Sequence, residues 1–109
     1  MKGLKMNLVK ASGSIGKYVR QSKLPSGIPK IEFILIVESN YLKNTRTGSN
    51  QISYVSCQAF GANALGLSNI VKEGRKLTIN KGELATAWKT VGDEQVPKIV
   101  ITVQEFLFK

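Results

Sequence analysis

Hydrophobic and polar residues alternate along most of the chain, in short segments separated by turns rich in Gly, Pro and Asn. Alternation of this kind is typical of β-strands that bury one face. It predicts strands over residues 6–16, 30–39, 51–61 and 75–80, followed by a hairpin of residues 83–90 and 97–108. Residues 62–72 instead place apolar side chains among small residues and end just before Gly74, which predicts a short helix.

The order of these elements predicts an all-β protein with an OB-fold, a five-stranded Greek-key barrel with one short helix between the third and fourth strands. A β-sandwich usually needs more strands than this chain offers. Because 109 residues suit one domain, residues 1–109 are expected to form a single OB domain, with residues 1–5 disordered. The glycines within residues 13–16 permit a bend in the first strand.

The third strand carries two aromatic residues on its polar face. Val55, Cys57 and Ala59 form an apolar face that suits a core, so Tyr54 and Phe60 fall on the opposite side. Large rings in such a place either stack on a ligand or pack against a loop or another subunit. The face around the second and third strands of an OB-fold binds oligonucleotides, which favours the interpretation that these rings stack on a ligand.

The charge of the chain supports the same interpretation. Sixteen Lys and Arg residues against seven Asp and Glu residues give a formal net charge of +9. Polyanions such as nucleic acids are the natural partners of so basic a surface. Basic residues concentrate in the loop after the second strand, after the helix and near the final hairpin, namely at Lys43, Arg46, Arg75, Lys76, Lys81 and Lys89.

The residues that most enzymes need are missing. The chain has no His, and it has a single Asp and a single Cys, Cys57, which excludes disulfides, Cys or His zinc sites and nucleophile-His catalysis within one chain. The Glu residues are scattered and suggest no acid and base pair. We therefore expect no enzymatic activity, no catalytic residue, no metal site and no cofactor.

The start of the chain lacks the apolar run of a signal peptide, and no segment reaches the length of a membrane span. Cys57, on the apolar side of its strand, suits a reducing compartment. These features predict a cytoplasmic protein without membrane contact, and the expected nucleic-acid partner adds association with the nucleoid.

Several short pieces, taken together and in order, carry a family resemblance over nearly the whole length. The pieces are residues 7–9, 13–16, 25–29, 33–35, 54–61, 71–74 and 82–88. In these pieces the chain resembles bacterial single-stranded DNA-binding proteins and the related primosomal replication protein N. The resemblance implies a wrapping surface on which bases stack against aromatic residues.

The resemblance also implies roles for individual residues. Tyr54 and Phe60 fall at stacking positions of the family, and Tyr41 and Trp88 fall at or within one residue of two others. Tyr18, between two basic residues, is a lesser candidate. The predicted nucleic-acid-binding residues are Tyr41, Tyr54, Phe60, Trp88, Arg20, Lys43, Arg46, Lys72, Arg75, Lys76 and Lys89.

Among the basic residues, Arg20, Lys43 and Lys72 match basic positions of the family. Ala62 and Glu73 instead stand where a typical member has Lys, and two of the three matched Trp positions are Tyr here. These departures imply weaker binding per site than in the strongest members of the family.

The expected partners follow from the same resemblance. The chain ends in its last strand without the acidic tail that recruits enzymes in general binding proteins, which implies a specialised role in replication, recombination, repair or restart. A homodimer or homotetramer is implied. Two alternatives stay open: a primosome-type module that docks a replication protein, and an OB protein that binds single-stranded RNA, since stacking surfaces accept both nucleic acids.

Overall fold

The computed structural model describes residues 5–108. Residue 109 and residues 1–4, which belong to the segment 1–5 predicted to be disordered, lie outside it. In chain order the elements are β1 (Val9–Lys23), β2 (Pro29–Lys43), β3 (Asn50–Phe60), α1 (Gly61–Ser68), β4 (Lys76–Val91) and β5 (Glu94–Phe108). The strands form a closed barrel in the order β1-β2-β3-β5-β4. The predicted OB-fold, with one short helix between the third and fourth strands, is confirmed.

A short pairing between β3 and β5 closes the barrel. These two strands pair in parallel, whereas the other neighbouring strands of the barrel pair antiparallel. Cys57 lies beside Ile101, and Gln58 lies beside Thr102. The Gln58 side-chain amide also donates a hydrogen bond of 3.0 Å to the Thr102 hydroxyl, which reinforces the short closure.

A bend in β1 lets this strand pair with both β4 and β2. Its first half pairs with β4 and its second half with β2, and Ser14 belongs to both pairings. At the bend, a side chain on Gly13 would collide with the backbone carbonyl of Ile36. The bend predicted at residues 13–16 therefore requires glycine at this position.

Several boundaries predicted from the sequence are wrong. β1 runs from Val9 to Lys23 where the prediction ended it at residue 16, because a register shift between Ile15 and Val19 interrupts the alternation, and β2 continues to Lys43 rather than residue 39. β4 is one strand of 16 residues where the pattern predicted two segments, because a register shift between Ile79 and Gly82 interrupts the alternation without breaking the pairing with β5. α1 ends at Ser68 rather than near residue 72. After it, the Val71 amide still donates to the Leu67 carbonyl at 2.9 Å, which explains why the apolar pattern continues past the helix.

The barrel interior is filled by alternate residues of the strands and by one side of α1. Its buried apolar residues include Ile15, Ile31, Phe33, Leu35, Cys57, Ala59, Leu67, Ile79 and Val103. Cys57 and Ala59 are buried and Val55 packs against them, so the apolar face predicted for the third strand is confirmed. Burial raises the pKa of the Cys57 thiol to about 12, so this thiol stays protonated at neutral pH.

Beyond the barrel, β4 and β5 continue as a two-stranded extension, the β4–β5 arm (residues 85–100). Its pairing runs from Ala85 opposite Val100 to Val91 opposite Glu94. The arm ends in a tight turn at Gly92, whose φ of 62° suits glycine. Within residues 5–108, no helix has the length and apolar character needed to cross a membrane.

Candidate nucleic-acid interface

The outward side chains of β2, of β3 and of the half of β1 that pairs with β2 form one continuous surface, the β1–β3 face. Directly opposite residues in an antiparallel pair share a side of the sheet. Ile36 lies opposite Tyr54, and Lys30 lies opposite Phe60, so both predicted rings stand on this face with β2 residues as neighbours. The Tyr54 ring is 73% exposed, which leaves it open to a ligand.

Phe60 is held differently from Tyr54. It is half-buried and directly precedes α1, where it is the N-cap residue. The Lys30 ammonium lies 5.7 Å from the centroid of its ring, within cation–π range, and also pairs with the Glu32 carboxylate at 2.8 Å. Phe60 therefore offers part of its ring and a cation beside it.

Tyr54 borders a hollow of about 410 Å³ that also touches Tyr18, Ile36 and Gly74. Two backbone hydrogen bonds, both of 2.8 Å, tie the segment after α1 to β1: the Gly74 amide donates to the Ile15 carbonyl, and the Ile15 amide donates to the Arg75 carbonyl. The structure thereby brings residues 72–76 to the side of the β1–β3 face that carries Tyr54.

Three predicted basic residues lie in this segment or next to it. Lys72 and Lys76 are exposed. The Arg75 guanidinium stacks over the Phe108 ring, with 4.7 Å from its central carbon to the ring centroid, and it is half-buried. Its Nε has no hydrogen-bond partner within the described part of the chain. Lys72 and Lys76 are thus freer than Arg75 to reach a phosphate.

The predicted long loop between the second and third strands is shorter than expected. β2 runs to Lys43 and β3 starts at Asn50, so Tyr41 and Lys43 lie on a strand rather than in a loop. The Tyr41 ring is 83% exposed. The Lys43 ammonium donates to the Asn50 side chain across the pair, and it lines one hollow together with Arg46 in the turn. The structure thus brings Lys43 and Arg46 together at the turn between β2 and β3. Tyr54 lies further along the same strand pair, opposite Ile36.

Trp88 and Lys89 lie on opposite sides of the β4–β5 arm, because successive strand residues alternate. Ala87 and its partner Lys98 line a groove of about 510 Å³ between the arm and the β1–β3 face. Lys89 shares the side of Ala87, two residues away. The exposed Trp88, opposite Pro97, therefore faces away from the groove.

Arg20 lines the same groove from β1. It lies opposite Glu32, which in turn lies opposite Gln58, so these three residues form a polar row across the β1–β3 face. Sequence reasoning missed two cations of the groove, Lys17 and Lys98. No motif marks them, and only the strand register places them beside Arg20.

Residues 5–108 contain no group of three or more His, Cys, Asp or Glu side chains that could hold a metal ion. The groups that converge on the β1–β3 face are aromatic rings, apolar and short polar side chains, cations and the carboxylates of Glu32 and Glu73. Such a surface can stack planar bases and neutralise phosphates.

The comparisons with known proteins agree with this geometry. The model of the single-strand binding protein family matches residues 6–108. Among solved structures, a Plasmodium falciparum SSB in complex with ssDNA has a TM-score of 0.79 at 15% identity, with 100% of this chain and 99% of that chain covered. A wild-type single-stranded DNA binding protein from Thermus aquaticus has a TM-score of 0.75 at 13% identity, with 95% of this chain and 50% of that chain covered.

At these identities the structural likeness shows the OB-fold alone, and no curated protein matches the chain. The family model carries the assignment, since it spans almost all of the described residues. The chain belongs to the single-strand binding protein family.

Proposed function

We propose that the protein binds single-stranded DNA without sequence preference, by stacking bases on exposed aromatic rings and holding phosphates with Lys and Arg. The observation that carries the proposal is the position of Tyr54. Its ring is 73% exposed and borders a hollow on the outer face of a barrel whose chain carries a net charge of +9. An exposed ring beside an apolar hollow offers a flat face on which a base can stack.

The energetics of this mode of binding suit the residues available. Each stacked base contributes about 1–3 kcal/mol, and every base has a face to stack. Each neutralised phosphate adds a salt-dependent term, with a slope of about 0.7 in log affinity against log salt for single strands. The exposed cations Lys43 and Arg46 line one hollow at the β2–β3 turn, and Lys72 and Lys76 flank the segment that borders the Tyr54 hollow. Arg20 lines the groove, and Lys89 lies on the same side of the arm as Ala87, which also lines it.

Titration of labelled oligo-dT with the protein, followed by fluorescence anisotropy at several salt concentrations, tests the proposal. Binding that weakens steeply with salt and depends little on base sequence is the expected result. Emission of Trp88, the one Trp of the chain, provides a second signal. Absence of binding at low salt, or binding confined to one sequence, would overturn the proposal.

We further propose that the protein is a non-enzymatic homodimer or homotetramer that acts in the cytoplasm, at the nucleoid, in replication, recombination, repair or restart. The side of the β4–β5 arm that carries Trp88 supports self-association, because the nearby Ile99 on that side is also exposed. Light scattering of the purified protein gives the oligomeric state directly. A monomer at micromolar concentration would contradict this part.

A second candidate function is a module that docks a replication protein. The observation in its favour is that Trp88 faces away from the groove, on a side of the arm with few cations. Capture of protein partners after nuclease treatment, together with weak oligonucleotide affinity, would support this candidate. Competition between matched DNA and RNA strands distinguishes DNA binding from RNA binding, because only RNA offers a 2′-hydroxyl.

A further inference from the structure

Tyr18 occupies an unusual position in β1. The register between β1 and β2 shifts between Ile15 and Val19, and this irregularity leaves Lys17 and Tyr18, two successive residues, both exposed. The Tyr18 ring is 73% exposed, the same fraction as Tyr54, and the Lys17 ammonium lies 5.9 Å from its centroid. A regular strand would turn one of these two side chains inward.

The exposed ring separates two hollows on the β1–β3 face. On one side is the hollow of about 410 Å³ that extends to Tyr54. On the other side is the groove of about 510 Å³ that extends to Lys98 of the β4–β5 arm. Tyr18 and Ile34 line both hollows, so the two hollows are adjacent and these two side chains separate them. Volumes above about 300 Å³ are those of clefts that hold small organic ligands.

The charges around the groove favour a base inside it and phosphates at its rim. Lys17, Arg20 and Lys98 supply three cations. Glu32 also lines the groove, and its carboxylate repels a phosphate. Ile34 and Val100 add apolar surface, which suits the flat face of a base. A nucleotide therefore fits with its base toward the middle of the β1–β3 face and its phosphates toward the cations.

We propose that Tyr18 is a further base-stacking residue and that the groove between Tyr18 and the β4–β5 arm holds one nucleotide of the bound strand. The strand then runs from Tyr54 across the first hollow, over Tyr18 and under the arm, with its phosphates at Arg20 and Lys98. This inference rests on the proposed function, and the experiment below separates the two.

Affinity for labelled oligo-dT is measured for the wild type, Tyr18→Ala, Tyr18→Phe and Tyr54→Ala. Tyr18→Ala should weaken binding about tenfold, equivalent to about 1.4 kcal/mol, while Tyr18→Phe keeps the ring and the wild-type affinity. Lys98→Ala should reduce the salt slope by about 0.7, and Lys10→Ala, at an exposed site on the first half of β1, should not. Oligonucleotides carrying 5-iodouracil should also cross-link to Tyr18 in the wild type.

The outcomes separate the two ideas. If the wild type does not bind oligo-dT, the proposed function fails. If the wild type binds and Tyr54→Ala weakens binding, but Tyr18→Ala has wild-type affinity and no cross-link forms at residues 17–20, the nucleotide site at Tyr18 alone is overturned. A change of oligomeric mass in Tyr18→Ala without a loss of affinity would also overturn it, because the ring would then belong to a subunit contact.

Discussion

The β1–β3 face and the β4–β5 arm both expose aromatic rings, but they support them differently. Tyr54 stands on a strand whose opposite side is packed into the barrel through Cys57 and Ala59. Trp88 stands on a two-stranded arm whose residues are exposed on both sides except for the half-buried Ala85 and Ala87 and the buried Val100 next to the barrel. A ring on a packed sheet is held in place before a ligand arrives, whereas a ring on the arm depends on cross-strand pairing alone. The face is therefore the better prepared surface for stacking.

The largest expected difference between the two regions is in stability. Leu35 is fully buried beneath the β1–β3 face, so Leu35→Ala should lower the free energy of unfolding by about 2–5 kcal/mol. Val91 at the tip of the arm is 54% exposed, and Val91→Ala should cost less than about 0.5 kcal/mol. Urea denaturation of both variants measures the difference. Equal losses would show that the arm is as firmly packed as the barrel.

The next largest effect concerns binding at Tyr54. Tyr54→Ala should weaken oligo-dT binding by about 1–3 kcal/mol, because the stacking face is lost while the core beneath it is unchanged. Tyr54→Phe, which keeps the ring, is the matched control and should bind as the wild type does. Anisotropy titrations measure the affinities, and thermal unfolding checks the fold. A collapse of the fold in Tyr54→Ala would assign the ring to structure instead.

Trp88→Ala should weaken DNA binding by about 1 kcal/mol, a smaller loss than in Tyr54→Ala. The loss is smaller because the arm holds the Trp88 ring less firmly and turns it away from the groove. The same variant should reduce the oligomeric mass if the Trp88 side of the arm joins subunits. Anisotropy and light scattering on one preparation measure both effects. A larger binding loss than in Tyr54→Ala would reverse the proposed ranking of the two regions.

Lys89→Ala should have a small effect on affinity that is the same for all sequences, and it should reduce the salt slope by about 0.7. The physical reason is that Lys89 lies on the groove side of the arm, where the proposed path of the strand brings a phosphate. Lys10→Ala serves as the control of equal charge. An unchanged slope in Lys89→Ala would remove this residue from the path of the strand.

The smallest effect is on the free energy of unfolding and concerns Cys57, in the core beneath the face. It is absent at neutral pH and appears only at alkaline pH. The pKa of the Cys57 thiol is raised from 9.0 to about 12, so the unfolded chain loses this proton first as pH rises. Stability is thus unaffected by this group below about pH 9 and falls between the two pKa values. Comparison of the wild type with Cys57→Ala across alkaline pH isolates this contribution. A parallel pH dependence in both proteins would contradict it.

Much of the fold was readable from the sequence because alternation reports directly on burial. Val55, Cys57 and Ala59 predicted the inner side of β3, and Leu77 and Ile79 are buried together in β4. The continuity of β4 was missed, since a register shift disturbs alternation just as a turn does. The end of α1 was also missed, because the backbone turns at Leu67 to Val71 continue the apolar pattern.

The candidate site was predictable only in part. Tyr54 stood out because its ring falls on the polar side of a strand, and Trp88 and Tyr41 lie exposed as an open surface requires. The groove was not predictable, because Arg20 and Lys98 are far apart in the chain. Their common position depends on the closure of the barrel at β3 and β5 and on the path of the arm beyond it.

The sequence by itself determined the barrel, its inner faces and its strongly basic character, because burial and charge are properties of local pattern and composition. Only the tertiary structure decided which side of the arm faces the groove, that Tyr18 stands between two hollows, and that Arg75 is engaged by Phe108. These features depend on register shifts and on contacts between distant strands. A shift of one residue reverses the side on which a side chain lies, and no local pattern records it.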